Sequence, residues 1–153
     1  MEITKEKNKE LCENFPFLLP RNRWTGEPPE GFDFTYTELD AMPDGWRRAF
    51  GEQMCEEIKR ELIKINYLDK YRIVQIKEKF GQLRWYDFGA NEAIYNIIRK
   101  YTKLSEKTCI CCGEPAEHIA LGWISPFCEK CVKPYIDQGE RTMDIDAFYK
   151  EEW

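Results

Sequence analysis

Four cysteines in the last third of the chain have the spacing of a metal site. Cys109 and Cys112 form one Cys-x2-Cys pair, Cys128 and Cys131 form a second, and fifteen residues separate the pairs. Two residues between thiolates let one tight turn point both sulfurs at the same tetrahedral ion, with Zn–S distances of about 2.3 Å. Four thiolates also leave no coordination position open for a substrate. The pattern predicts a structural Zn²⁺ site, with disulfides or four buried thiols as the alternatives.

Three other residues and one segment lie inside this cysteine pattern. Gly113 directly follows the first pair and provides the permissive backbone that lets the chain leave the turn. Cys111 could replace a neighbouring ligand, but the turn would then have one spacer residue fewer and would be strained. His118 is the one histidine of the chain, and a lone histidine is more often a surface or hydrogen-bonded residue than a ligand. The apolar segment 119–124, with a central glycine, predicts a short hairpin over the metal.

A second group of residues suited to binding lies on two β-rich segments, 71–77 and 82–86. The connection 78–81 ends in glycine, which favours a hairpin in which Lys77 pairs with Gln82. Because side chains alternate across a strand, apolar residues fall on one face and polar residues on the other. The apolar set, expected in the core, is Val74, Ile76, Leu83 and Trp85. The candidate binding residues, which we call the polar hairpin face, are Gln75, Lys77, Lys79, Gln82, Arg84 and Tyr86.

The polar hairpin face is rich in hydrogen-bond donors. Guanidinium, ammonium and amide groups suit a phosphate, a carboxylate or an acidic protein patch. Residues 70–107 carry nine Lys and Arg against four Asp and Glu, although the whole chain has a net charge of -5. The acidic total argues against a protein that coats nucleic acid along its whole surface, but it leaves room for one local anion-binding face. The alternative is a solvated face neutralised by acidic segments of the same protein.

Two amphipathic helices are predicted to position these groups. Apolar residues recur at three- and four-residue steps between residues 46 and 66 and again between 91 and 104, which is the helical period. Asp44 is placed to cap the first helix, and the second helix leads directly into the first cysteine pair. The stripe of the first helix is Trp46, Phe50, Met54, Ile58, Leu62 and Ile65. The stripe of the second is Ile94, Ile97, Ile98, Tyr101 and Leu104.

Three shorter elements are predicted outside these helices. Residues 4–13 are expected to form a charged helix capped by Thr4. Residues 145–153 are expected to form a final helix capped by Asp144. Segment 32–39 alternates apolar and polar residues with period two, which predicts a half-buried strand.

Prolines limit regular structure in two places. Four prolines between residues 15 and 31 forbid a regular helix there and predict an extended arm, with a partner-binding peptide as the alternative. The apolar residues expected to hold this arm on the body are Phe15, Phe17, Leu18 and Trp24. Pro134 is expected to preclude a long regular helix directly after the second cysteine pair.

The predicted helices and strands, together with the cysteine spacing, predict an α+β fold with a metal-held module. A chain of 153 residues with 42% hydrophobic and 14% aromatic residues can bury a real core. Residues 1–31 are expected to form a helix and the proline-rich arm. Residues 32–105 are expected to form a core with a small antiparallel sheet of about three strands and two helices. Residues 106–153 are expected to form a four-cysteine module of the zinc-ribbon or treble-clef type.

Cysteine usage predicts a cytoplasmic protein. The N-terminal residues show no apolar run behind a basic segment, so no secretory signal is expected. No apolar run approaches the ~18 residues that a membrane span needs, so no membrane association is expected. Seven cysteines then favour a reducing compartment, where thiols bind metal rather than pair. Cys12 and Cys55 lie outside the metal pattern and are expected to be buried, inert thiols.

Several sequence strings resemble those of a known family. They are VQIKEKFGQLRWYD, the later S-E-K-T-C-x-x-C-G and G-W-I-S-P-F-C-x-x-C, and the upstream PRNRWTGE and DGW. Over roughly residues 16–132 the chain resembles a family of small uncharacterised bacterial and phage proteins. The resemblance implies a phage-borne accessory gene, with Lys77, Lys79, Gly81, Leu83, Arg84 and the four cysteines as the recurring pattern. It implies no substrate, partner or reaction.

Three classes of function fit these features. The first is a non-enzymatic, zinc-stabilised binding module that docks on a protein, in a phage setting a host or defence protein. The alternative is local nucleic-acid binding through Lys77, Lys79 and Arg84, with Phe80 and Tyr86 stacking on bases. A zinc-braced nuclease or other hydrolase is least favoured, because one histidine cannot assemble an open hydrolytic zinc shell.

Overall fold

A computed structural model describes residues 4–150, which form an α+β fold as predicted. The helices are α1 (Lys5–Asn14), α2 (Asp44–Trp46), α3 (Glu52–Lys64), α4 (Glu92–Glu106), α5 (Glu129–Asp137) and α6 (Ile145–Lys150). The strands are β1 (Arg72–Lys79), β2 (Gln82–Phe88), β3 (His118–Ala120), β4 (Ser125–Phe127) and β5 (Thr142–Asp144). The two 3-10 turns are Pro16–Leu18 and Glu38–Ala41, and the π-helical segment is Arg47–Gly51. Strands β1 and β2 form an antiparallel hairpin, and a separate antiparallel sheet has the order β4-β3-β5.

The main core is built from the hairpin, the long helices and the N-terminal arm. It buries one face of the hairpin between α3, α4 and the arm, so the hairpin shares one apolar interior with residues from Leu11 onward. Its largest fully buried side chains include Trp46, Tyr71, Tyr101, Phe15, Phe17, Met54 and Leu83. Two smaller clusters lie in the C-terminal module, one beside the cysteines and one beneath α6.

Helix α2, the π-helical segment and α3 follow one another without a break, and together they are called the long helix. The π-helical segment keeps the apolar stripe of this helix in the core. Its apolar residues follow one another in four-residue steps, which exceed the 3.6 residues of an α-helical turn and would rotate the stripe away from the core. The i→i+5 bonding of Arg47–Gly51 widens the turn between α2 and α3 and offsets part of this rotation. The stripe residues Trp46, Phe50, Met54, Ile58 and Leu62 are each at most 3% exposed.

Two predictions about this helix are wrong. Ile65, placed on the stripe, is 45% exposed because α3 ends at Lys64 and the chain turns away. Asp44 does not cap the helix: Pro43 occupies the N-cap position without a side-chain hydrogen bond, and Asp44 is the first helical residue. An acidic side chain there still interacts favourably with the positive end of the helix dipole.

The hairpin turn is shorter than predicted. Lys79 rather than Lys77 lies opposite Gln82, which leaves a two-residue turn of Phe80 and Gly81. Their φ angles are 53° and 78°, and positive φ at both positions is typical of a type I′ turn, whose twist matches that of the flanking strands. The predicted register is therefore displaced by two residues.

A displacement of two residues leaves every side chain on its predicted face, because the strand period is two. Ile76 lies opposite Trp85, and both are buried together with Leu83. Val74 is the exception: it lies at a register irregularity and is only half-buried, and its neighbour Ile73 packs on the main core instead. The assignment of the two hairpin faces is otherwise confirmed.

Helix α4 covers the outer edge of strand β2 and supplies hydroxyl groups to it. The backbone N–H of Leu83 donates to Ser105 Oγ at 2.9 Å. Thr102 Oγ1 donates to the carbonyl oxygen of Leu83 at 3.3 Å. The helix begins with Asn91, whose side chain accepts from the N–H of Ile94, and runs to Glu106 close to its predicted end. Both backbone groups of Leu83 are thus satisfied by a helix rather than by a third strand.

Segment 32–39 does not form the predicted strand. Phe34 has a φ of 63°, outside the β region, and the chain then enters the 3-10 turn Glu38–Ala41. The alternating aromatic residues pack on one another instead, with the Phe32 ring 5.1 Å from that of Phe34 and 5.3 Å from that of Tyr36. The period-two pattern therefore reflects a local aromatic cluster rather than a buried sheet face.

The proline-rich arm packs on the core as predicted, with one exception. Phe15, Phe17 and Leu18 are buried in the main core, around the 3-10 turn Pro16–Leu18. Trp24 is 90% exposed at the tip of the loop that follows. Trp24 was expected to anchor the arm, and the structure corrects this.

Helices lie near both ends of the described residues, as predicted. Thr4 caps α1 by accepting from the N–H of Lys7, and Asp144 Oδ1 accepts from the N–H groups of Asp146 and Ala147 at the start of α6. The predicted end of the last helix, 151–153, lies outside the described residues. Within residues 4–150, no helix combines the length and apolar character needed to cross a bilayer.

Helix α5 corrects the prediction made for Pro134. This helix contains nine residues and includes Pro134, although a proline lacks the N–H that the i−4 carbonyl would accept. The helix ends three residues later at Asp137, so the proline is tolerated within the last turn and a half.

Candidate metal centre

The four predicted cysteines converge at one point. Their sulfurs all lie within 4.8 Å of one another, and Cys112 Sγ is 3.6 Å from Cys128 Sγ. A tetrahedral ion with Zn–S bonds of about 2.3 Å requires sulfur–sulfur edges of about 3.8 Å. The observed spacing fits such a shell and exceeds a disulfide bond of about 2.05 Å. All four thiols are free, so the cluster could hold a metal ion, which bears out the grouping of Cys109, Cys112, Cys128 and Cys131.

The first cysteine pair lies on a tight turn directly after α4. The N–H of Cys109 donates to the carbonyl oxygen of Glu114 at 2.7 Å, and the N–H of Gly113 donates to that of Cys109 at 3.0 Å. Gly113 has a φ of 88°, a conformation that favours glycine. The turn thereby closes on itself and presents Cys109 and Cys112 to the same side.

The second pair lies at the N-terminus of α5. Cys128 is the N-cap residue, and its sulfur accepts from the N–H of Cys131 at 3.4 Å. The β3–β4 hairpin predicted over the metal is present and leads directly into Cys128. A helix N-terminus favours negative charge, so this position suits thiolates.

The local backbone lowers the pKa of one thiol in the cluster. Burial acts to raise the pKa of Cys109, but N–H groups of Cys128, Cys112 and Cys111 bond to its sulfur and bring the pKa down to about 7. Burial and the neighbouring thiols raise the pKa of Cys131. Metal binding needs deprotonated sulfurs, and the N–H groups around Cys109 stabilise that form.

The turn that carries Cys109 and Cys112 packs against the start of the long helix. The N–H of Gly45 donates to the carbonyl oxygen of Ile110 at 2.9 Å. A Cβ at Gly45 would overlap the carbonyl oxygen of Cys109 and lie 2.6 Å from that of Ile110, so only glycine permits this approach. Trp46 Nε1 donates to the carbonyl oxygen of Thr108 at 2.9 Å. The module is thus bonded to the main core through the backbone of the metal turn itself.

The two other residues flagged in the cysteine pattern lie outside the sulfur cluster. Cys111 is exposed, and its sulfur does not belong to the group of four. His118 Nε2 lies 2.6 Å from Glu129 Oε2, and these two residues and Glu117 place three further ligand atoms within 4.8 Å of one another. Sequence spacing could not reveal this grouping, because strand pairing and the start of α5 bring it together. Both carboxylates are exposed, as is common for acidic groups without an ion.

The polar hairpin face is assembled as three cross-strand pairs. These are Gln75 with Tyr86, Lys77 with Arg84, and Lys79 with Gln82. Within residues 4–150, no carboxylate forms an ion pair with Lys77, Lys79 or Arg84. The Nε of Arg84 is buried and has no hydrogen-bond partner among the described residues. Lys77, Lys79 and Arg84 are thus without an ion pair in this part of the chain, although the Glu106 carboxylate lies beside the face and accepts from Gln82 Nε2.

The hairpin tip contacts the metal module, which the sequence did not predict. Glu78 accepts from the N–H of Gly81 at 2.8 Å and from Trp123 Nε1 at 3.2 Å. A Cβ at Gly81 would lie 3.2 Å from Ile124 Cγ2, so the turn packs closely on the β3–β4 loop. The hairpin tip and the β3–β4 loop of the metal module are therefore in direct contact.

The chain matches no family model, no curated protein and no solved structure among those compared. The resemblance to small bacterial and phage proteins stays a prediction. Function is therefore inferred from the arrangement of this chain's own side chains.

Proposed function

We propose that this protein is a non-enzymatic binding module whose C-terminal third is stabilised by one Zn²⁺. The support is the convergence of four sulfurs within 4.8 Å. A tetrahedral set of four thiolates suits zinc or iron, and Zn²⁺ needs no redox partner to remain in such a site. Four sulfur ligands would leave no position for water or substrate, so the ion would stabilise the fold rather than take part in catalysis.

The binding role is proposed for the polar hairpin face. Its central pair, Lys77 and Arg84, places two positive charges directly opposite each other on neighbouring strands. Like charges in this position destabilise a sheet, and no carboxylate among residues 4–150 forms an ion pair with either residue. An acidic patch of a partner protein would relieve the repulsion and would engage the planar guanidinium. This pair is the observation that carries the proposal.

The proposed compartment and the proposed kind of partner are based on the cysteines and on the resemblance. All seven cysteines are free, which fits a reducing compartment, and we place the protein in the cytoplasm. The resemblance to phage-borne accessory proteins favours a host or defence protein as the partner.

The test is capture of a partner from nuclease-treated host lysate by the tagged, metal-loaded protein. Arg84→Glu is expected to lose the captured protein, because a carboxylate there repels an acidic partner. Arg60→Glu is the matched control, since Arg60 is an exposed cation on α3 and does not belong to the hairpin. Equal capture by the parent and by Arg84→Glu would show that the polar hairpin face is only a solvated surface.

Local nucleic-acid binding is the second candidate. Phe80 is 67% exposed at the hairpin turn, with Lys79 Nζ 5.7 Å from its ring centroid, and Tyr86 is also exposed. Aromatic rings beside cations can stack on bases while the cations contact phosphates. Phosphate contacts release counterions, so affinity would fall steeply between about 50 and 200 mM salt, whereas a protein interface would respond less. Nuclease-sensitive capture with that salt dependence would favour this candidate.

A further inference from the structure

A second group of cationic side chains without ion pairs to the described residues lies at the opposite end of the hairpin. There the loop of the proline-rich arm and the first residues of β1 enclose a cavity of about 300 Å³. Its polar walls include Arg21, Asn22 and Arg23 from the arm and Arg72 from β1. Cavities of about this size upwards accommodate small molecules.

Two of these arginines are held by backbone carbonyl groups rather than by carboxylates. Arg21 Nη1 donates to the carbonyl oxygen of Gly26 at 2.8 Å. Arg72 Nη1 donates to those of Asp69 and Tyr71, each at 2.9 Å. A neutral carbonyl group holds the guanidinium in position but does not compensate its positive charge. Among residues 4–150, no carboxylate forms an ion pair with Arg21, Arg23 or Arg72.

The arginine wall also has an unused donor. The Nε of Arg21 is buried and has no hydrogen-bond partner among the described residues. A buried donor without an acceptor costs free energy, and the cost is larger when the donor carries charge. A ligand oxygen that accepted from this group would remove the cost.

Arg21 and Arg72 act on each other through the cavity. Burial lowers the pKa of Arg72, and the charge of Arg21 lowers it further; Asp69 acts in the opposite direction, but less. Two guanidinium groups close enough to repel each other are stabilised by an anion placed between them. Glu38, at the same cavity, pairs with none of the three arginines, and burial raises the pKa of its carboxyl.

We propose that this cavity, the arginine pocket, binds the oxyanion group of a small molecule, a phosphate or a carboxylate. Arg21 and Arg72 would contact the oxyanion, with Arg23 and Asn22 at the rim. The planar fork of a guanidinium matches both kinds of oxyanion. The apolar side of the cavity, which includes Phe17 and Ile73, would contact the remainder of the ligand. This site is independent of the polar hairpin face.

The test is a titration of the ¹⁵N-labelled, metal-loaded protein followed by backbone amide chemical shifts. The probes are sodium phosphate and sodium acetate, each against sodium chloride at the same ionic strength. Saturable shifts centred on residues 21–26 and 72–74 are expected with phosphate, acetate or both, and not with chloride. Binding of either probe supports the site, and the stronger one identifies the preferred oxyanion. Shifts that are unsaturable, or identical in chloride, would overturn it.

Variants separate the arginine pocket from general surface charge. Arg72→Gln and Arg21→Gln are each expected to lower the affinity for the bound probe by about tenfold or more, because each removes charge-assisted hydrogen bonds. Arg60→Gln removes an exposed cation elsewhere and is expected to leave affinity unchanged. Arg21→Lys keeps the charge but loses the fork, and it covers the case in which Arg21→Gln fails to fold. Unchanged affinity in Arg72→Gln and in a folded Arg21 variant would contradict the proposal.

Discussion

Trp46 Nε1 donates a hydrogen bond to the backbone carbonyl oxygen of Thr108, 2.9 Å away, and thereby joins the long helix to the residue before the first cysteine. Trp46 is fully buried, and its neighbour Gly45 touches the backbone of the metal turn. The metal module and the main core consequently meet at Gly45, a boundary where the contact leaves no room for an added methyl group. Occupancy of the cysteine cluster and integrity of the long helix are expected to influence each other through this boundary.

Gly45→Ala is expected to disrupt that boundary. The new Cβ would overlap the Cys109 carbonyl oxygen, and overpacking of this kind costs about 1–3 kcal/mol. The free energy of unfolding, measured with urea on metal-loaded protein, should fall accordingly, and zinc content should fall with it. Gly51→Ala is the control, because its nearest contacts would be side-chain atoms, with Arg47 Cγ at 3.3 Å as the closest, rather than backbone. A Gly45→Ala protein as stable as Gly51→Ala would refute the close contact.

Metal content gives the second prediction. Protein purified without chelator is expected to contain one zinc per chain by elemental analysis, because four sulfurs form a single shell. Cys112→Ser is expected to lose the ion and unfold the C-terminal third, while the long helix keeps much of its circular dichroism. Cys111→Ser is the matched control, since Cys111 is exposed and outside the cluster, and it should retain the metal. Zinc-free parent protein, or a disulfide between the pairs, would exclude the site.

The hairpin turn gives the third prediction. Gly81→Ala is expected to lower stability for two reasons: its φ of 78° strains an alanine by about 1–2 kcal/mol, and its Cβ would crowd Ile124. Gly139→Ala shares the strain, with a φ of 83°, but has no atom within 4 Å of the new Cβ. The difference between the two variants in urea unfolding therefore isolates the contact with Ile124. Equal losses would show that the turn does not pack on the β3–β4 loop.

Asp87 gives a pH-dependent prediction. Burial raises the pKa of its carboxyl group, against the opposing effect of the Tyr71 hydroxyl that donates to it. Because the folded protein then binds this proton more tightly than the unfolded chain, the contribution to stability is present at low pH. It is lost as pH rises through the folded-state pKa.

The measurement compares the parent with Asp87→Asn, which cannot ionise at this position. The stability of the parent relative to the variant is expected to decline in urea titrations as pH rises above about 4, the ordinary pKa of an aspartate. Titrating groups common to both proteins, including Glu38, largely cancel in the comparison. A difference that is constant or increases with pH would contradict the raised pKa.

The sequence was most informative about features that are determined by residues close together in the chain. The grouping of the four cysteines follows from two local turns, and the hairpin faces follow from a period of two. The register did not follow, because Phe80 adopts a left-handed conformation that its residue type does not announce. The segment around Phe34 was predicted as a strand for a related reason, since its aromatic side chains pack on one another instead of on a sheet.

Features that depend on distant packing could not be predicted. Arg21 and Arg72 face the same cavity only because the arm folds back over the start of β1. Glu78 meets Trp123 only because the hairpin tip lies against the β3–β4 loop. In each case the residues taken singly are ordinary surface types, and tertiary contact alone makes them neighbours.

The two hydroxyl groups that α4 offers to Leu83 also limit how β2 can be used. A strand added from another molecule would need the N–H and carbonyl of Leu83, and Ser105 and Thr102 already occupy them. Edge-to-edge pairing, the common route to aggregation and to recognition by strand addition, is therefore blocked at this position. A partner, or a second copy of this chain, that approaches β2 at Leu83 must be recognised through side chains rather than through backbone pairing.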